Sequence, residues 1–263
     1  MAEPISDKAV VATLRPFVRA SAPMLTALRA SDPLGLARKL LPDAPADDED
    51  GDLDRGFLRK LAERLETVKL PGTKRWADMT VDERTDWWVN RLGRFTALLA
   101  AVPGIGGALA DRLPVQDALG AAGQGLLLCA IAIEHGVTDR ADQVRLLAAV
   151  LFEREVDRDL AAAKHDGEDA KTAELTEELD ESRQRHGKVT VKAAGRTLWR
   201  FGRALWAVSD ELGKRPHGRF YHQALGALPV VGMAGDYLGE RSGLKRAAKA
   251  ATKWLAAEAA GTT

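Results

Sequence analysis

Most of what a chain uses for chemistry or covalent stapling is scarce here. Cys129 is the only cysteine in 263 residues, so no intrachain disulfide can form. That fits a reducing cytoplasm. It lies in Leu126-Leu-Leu-Cys-Ala-Ile-Ala and reads as a small buried apolar residue rather than a reactive thiol. The five histidines, at 135, 165, 186, 217 and 222, never fall into a tight ligand spacing. Neither Glu134-His135 nor the pair His217 and His222 makes a zinc set, so no metal is expected. No nucleophile constellation or phosphate loop is present, so no cofactor and no catalytic residue is assigned. Excess charge is absent too: 38 basic residues meet 38 acidic ones. That balance argues against a general nucleic-acid binder. No segment reaches roughly 18 apolar residues without a charge. The nearest, 113–133, carries Gln116, Asp117 and Gln124. The first residues, Met-Ala-Glu-Pro-Ile-Ser-Asp, lack a basic start and an apolar core, so no signal peptide is expected.

What is present is helix. β-branched residues are sparse, period-2 alternation is nearly absent, and Ala, Leu, Arg and Glu abound. The pattern predicts an all-α multi-helix bundle of eight to eleven helices. Residues 1–41 read as N-terminal amphipathic helices, broken near Pro16, Pro23 and Pro33. Residues 42–52 form an acidic Pro/Asp linker, and 53–263 a helical domain. Within it we expect a helix over about 53–69. Thr80-Val-Asp-Glu83 is a capping box that opens a helix to about 102. Pro114 opens the next helix, which ends near Gly136. Asp139 or Thr138 starts another that runs to about 164. Residues 172–186 are a solvated helix or a connector. A helix over 189–213, a hairpin over 217–240 and a last helix over 243–259 complete the chain.

Two Pro/Gly-rich apolar hairpins share one pattern. Leu99-Ala-Ala-Val-Pro103-Gly104-Ile105-Gly106-Gly107-Ala108 and Leu225-Gly-Ala-Leu-Pro229-Val230-Val231-Gly232-Met233-Ala234 both fit Leu-x-Ala-apolar-Pro-x-(Ile/Val)-Gly-x-Ala. Proline ends a helix and glycine lets backbones approach, so these elements suit tight packing or shallow membrane contact. Asp111 and Asp117 follow the first and flank Arg112, and Gly235 and Asp236 extend the second. Gly235, Gly239 and Gly243 recur at four, as do Ala121 and Gly125, which permits close helix contact.

Charge is unevenly placed. Residues 183–219 hold ten Lys or Arg against two acids. Lys188, Lys192, Arg196, Arg200 and Arg203 fall on one helical face. In the last helix Lys245, Arg246, Lys249 and Lys253 accompany an apolar stripe of Leu244, Ala248, Ala251, Trp254 and Leu255. Such helices contact anionic lipid or an acidic protein, or are plain solvated faces of a packed helix.

At the two hairpins the chain resembles the EcsC family of bacterial proteins, over about 95–155 and 220–256. The first block joins Pro103-Gly-Ile-Gly-Gly107 to Leu113-Pro-Val-Gln-Asp117, then to Ala130-Ile-Ala-Ile-Glu-His-Gly136 and Leu146-Leu147. His135 stands where the family has an aromatic. The second joins Leu228-Pro-Val-Val-Gly232-Met-Ala-Gly-Asp236-Tyr237 to Lys249-Ala-Ala-Thr-Lys253-Trp254, with Asp236 in place of the usual Asn. The resemblance implies a link to membranes, transport or secretion and supplies no catalytic residues. The leading expectation is therefore a non-enzymatic, cytoplasmic protein held peripherally at the membrane inner face. An interaction module for an acidic partner and an enzyme or carrier for a hydrophobic small molecule are the alternatives. A homo-oligomer stays open.

Overall fold

A computed structural model describes residues 6–30, 74–100, 115–213 and 232–261. These form nine helices and no strand: α1 Asp7–Ala30, α2 Lys74–Ala77, α3 Val81–Ala100, α4 Val115–Glu134, α5 Arg140–Phe152, α6 Arg158–Ala162, α7 Glu168–His186, α8 Val191–Gly213 and α9 Gly232–Gly261. The all-α bundle is what the composition predicts. The acidic linker 42–52, the helix over 53–69, Pro33 and most of both hairpin turns lie outside the described residues.

α4 is the axis. It contacts α1, α3, α5, α8 and α9, and Leu126 through Ala132 are buried on every side of it. A helix that is apolar all round needs surroundings that are apolar all round, and here the neighbouring helices provide them. The segment nearest to a membrane span is thus the core of the bundle. No described helix is long and apolar enough to cross a membrane. Cys129 sits in this core, and burial pushes its thiol up to about 12.

Local signals set several helix ends. The amide of Glu83 donates to Thr80 Oγ1 at 3.2 Å, and the amide of Thr80 donates to Glu83 Oε2 at 2.9 Å. That reciprocal pair is the capping box, and it opens α3. Asp139 caps α5 by accepting from the amides of Ala141 and Asp142. Gly136 takes φ +81° beyond α4, the conformation a helix C′ residue needs.

Three expectations need correction. α1 does not break at Pro16 or Pro23 but runs through both. Each internal proline costs about 3 kcal/mol. Val10, Val11, Leu14, Phe17, Val18, Met24, Leu25 and Leu28 are all buried on α1, at about 1.5–3 kcal/mol each, and together they outweigh it. The helix begun at Asp139 stops at Phe152, not near 164. Glu153 turns left-handed at φ 52°, and Asp157 then caps α6 by accepting from the amides of Asp159 and Leu160. Finally, residues 232–240 are not the return of a hairpin separate from the last helix. They are the first turns of α9, continuous through Gly235, Gly239 and Gly243.

Candidate functional site

The two basic helices flank α4, and their apolar sides are spent on the core. On α8 these are Leu198, Phe201 and Leu205, all buried. Gly202 lets α8 cross α4 with almost no gap, because a Cβ there would stand 2.2 Å from the carbonyl oxygen of Ala118. Gly125 meets Phe17 and Leu205 in the same way, at 2.6 and 3.2 Å. The small residues of α4 therefore serve packing inside the bundle.

The five cations of the 188–203 run divide. Lys188, Lys192 and Arg203 are exposed. Arg196 and Arg200 are engaged by α7. Arg196 Nη1 lies 3.4 Å from Glu178 Oε2, and Arg200 Nη1 lies 2.8 Å from Glu177 Oε2. Arg200 also donates to the carbonyl of Glu174 at 2.5 Å. The stretch that read as a solvated helix or connector is a helix that lies along α8 and α1.

α9 differs. Leu244, Ala248, Ala251 and Leu255 are buried, while Lys245, Arg246, Lys249 and Lys253 are exposed. From Lys245 to Lys253 the helical rise is about 12 Å, and no acid occurs from 242 to 257. Trp254 is half-buried, and Arg145 of α5 stacks over its ring at 5.5 Å. Arg145 also reaches Glu258 at 2.6 Å, which pins the end of α9 to α5. Hence the tryptophan of the stripe is part of the bundle.

Among the hairpin residues, Pro103, Gly104, Gly106, Gly107, Asp111 and Pro229 lie outside the described residues. Asp117 falls on α4, and Gly232, Gly235 and Asp236 fall on α9.

Two charged clusters were not legible in the sequence. The Glu134 carboxylate, 6% exposed, accepts from Trp88 Nε1 and Arg29 Nη2 at 3.1 Å each, with Arg84 Nη1 at 3.5 Å. Around it Trp76, Trp87 and Trp88 meet edge to face, and Arg84, Arg91 and Arg29 stack on Trp76, Trp87 and Trp88. The second cluster joins α1 to α7. Arg15 Nε lies 2.7 Å and Arg19 Nη1 3.1 Å from the Glu168 carboxylate. Burial works against the ionised form of Glu168, but the hydrogen bonds from Arg15 and Arg19 outweigh it and hold the carboxyl below its ordinary value. Asp169, bonded to Lys164 and Arg19, is lowered to about 2. Both clusters pair opposite charges across helices and fasten them.

Compared with family models, curated proteins and solved structures, the chain matches none.

Proposed function

We propose that this is a helical protein that binds an anionic membrane surface peripherally, by charge, with the exposed basic stripe of α9 as the contact. One observation carries the reading. Lys245, Arg246, Lys249 and Lys253 are exposed on a helix whose apolar stripe is already buried in the bundle. A free basic face backed by a used apolar face favours adsorption over insertion. Among the described residues Val191 is the one large apolar side chain that is exposed, which points the same way. The likeness of the Gly-rich blocks to EcsC proteins supports a place at the membrane inner face in the cytoplasm, and we extend the proposal to that kinship.

Four cations near an anionic surface contribute about 1 kcal/mol each, a partition gain of roughly a thousandfold. Flotation with neutral and with anionic vesicles, at low and high salt, tests this. We expect binding to anionic vesicles only, lost in salt. Charge removal by K245Q/R246Q/K249Q/K253Q should abolish it, whereas retention by that variant refutes the assignment to α9. Lipid-independent capture of one acidic protein would instead favour the interaction-module reading.

A further inference from the structure

α7 is an unusual helix for a packed bundle. Seven acids against three Lys or Arg leave it with a net charge of −4 over its 19 residues. Leu175 and Leu179 are its only buried large apolar side chains. Glycines in the left-handed conformation bound it, Gly167 at φ 76° and Gly187 at φ 65°. Both its ends are fastened: Glu168 is buried between Arg15 and Arg19 of α1, and the buried Ser182 hydroxyl donates to the Lys188 carbonyl and accepts from the Thr190 amide, at 3.0 Å each. Further along, Arg183 donates to the Pro23 carbonyl. Its middle is held to α8 by the contacts of Arg196 and Arg200 with Glu177, Glu178 and the Glu174 carbonyl.

Those middle contacts are weak individually. Arg196, at 47%, pairs with Glu178, at 20%, and Arg200, at 30%, pairs with Glu177, at 55%, and such part-exposed pairs are open to screening by salt. They also occupy the two central cations of the face that Lys192, Arg196, Arg200 and Arg203 form on α8, Lys188 standing before the helix begins. A polyanionic surface would offer Arg196 and Arg200 the same chemistry that Glu177 and Glu178 offer now.

We propose that α7 is an electrostatic strap. Fastened at both ends, it covers Arg196 and Arg200 in the free protein, and its middle loosens from α8 when an anionic lipid surface competes for them. This deepens the membrane reading and rests on it. α9 makes the first contact, and the uncovered α8 face adds a second, so attachment strengthens after docking.

The test uses the full chain and the variant E177Q/E178Q. Gln and Glu have similar helix propensity, so α7 itself is not weakened. E155Q/D166N, at two exposed acids outside α7, carries the same change in net charge. The first arm has no vesicles. An arginine-selective dicarbonyl is applied and each site is read by mass spectrometry, with Arg203 as internal reference. Arg196 and Arg200 should react at least fivefold faster in E177Q/E178Q than in the wild type. Amide exchange over 172–182 should quicken about tenfold while α4 is unchanged. The second arm measures binding to vesicles containing phosphatidylglycerol. Two freed cations predict a gain of roughly thirtyfold over E155Q/D166N, and R196A/R200A in the same background should erase it. Unchanged arginine reactivity or unchanged exchange in α7 overturns the strap. Faster reactivity with no gain on vesicles overturns its role as a mask. The first arm judges the strap even where no form of the protein binds vesicles, an outcome that would sink the membrane reading.

Discussion

Replacing Gly202 by alanine tests the packing on which both basic helices depend. In an open helix the change stabilises by about 1 kcal/mol, because glycine has more conformational freedom to lose. At Gly202 the new Cβ would stand 2.2 Å from the Ala118 oxygen and 2.5 Å from its carbonyl carbon. An ordinary carbon–oxygen contact is about 3.3 Å, so the helices must part by about 1 Å. The obstructing atoms are backbone and cannot rotate aside. A gap of that size forfeits a quarter to a half of the dispersion attraction across the crossing. Overpacking of this kind costs about 1–3 kcal/mol, and a backbone clash belongs at the upper end. Subtracting the propensity gain leaves a net loss of about 2 kcal/mol, a fall in Tm of roughly 4–8 °C. Gly120 is the matched control, since a Cβ there meets nothing within 4 Å. G120A should raise Tm by about 2 °C. Thermal melts followed by circular dichroism at 222 nm read both. A G202A protein as stable as the wild type would refute the close crossing of α4 and α8.

Three further outcomes follow from the clusters. E134Q leaves Arg29 and Arg84 without their carboxylate. Because these arginines are 35% and 23% exposed, the loss should be about 2 kcal/mol, below the value for a fully buried pair. Urea denaturation should show it together with a shift in tryptophan emission. The acid side of the stability profile should carry Glu168 and Asp169. Both have folded values below their unfolded ones, so their stabilisation is complete above about pH 5 and is lost as pH falls toward 2. R15A/R19A should flatten that slope, and an unchanged slope would separate the arginines from the effect. Cys129, buried with its thiol pushed up to about 12, should resist a thiol reagent in the folded protein and react fully in urea. Rapid labelling under native conditions would contradict its place in α4.

What the sequence disclosed depended on range. Thr80 and Glu83 are three apart, Asp139 caps amides two and three residues on, and the composition of the helices is a local matter, so caps and fold class were readable. Glu153 has no local mark of a left-handed residue, and the early stop of α5 was missed. The prolines of α1 gave a true local signal that tertiary burial overrode. The Arg15–Glu168 and Arg29–Glu134 pairs span 153 and 105 positions, and nothing in a single chain's pattern joins residues so far apart. The basic run at 188–203 was visible as a spacing. That α7 would lie on it was not, because a charge-rich segment reads as solvated whether water or arginine faces it.

This last point decides where a charged ligand would act. Counting cations in the two basic runs ranks 188–203 first, with five, and 245–253 second, with four. The fold reverses that order. α7 brings a net charge of −4 to the side of α8, so the field over that face is nearly cancelled beyond a Debye length. No acid lies on α9 between 242 and 257, and Lys245, Arg246, Lys249 and Lys253 are exposed over about 12 Å with no ion pair among the described residues. A distant anionic surface therefore responds to α9 first. The α8 cations matter only at contact distance, where an anion can compete directly with Glu177 and Glu178. Salt screens both steps, the approach to α9 and the contact of the α8 cations with lipid, so vesicle binding should fall monotonically with salt. The fall should be steeper when six cations are engaged than when α9 acts alone with four. A titration from about 10 to 500 mM NaCl that gives R196A/R200A the same slope as the wild type refutes the second step.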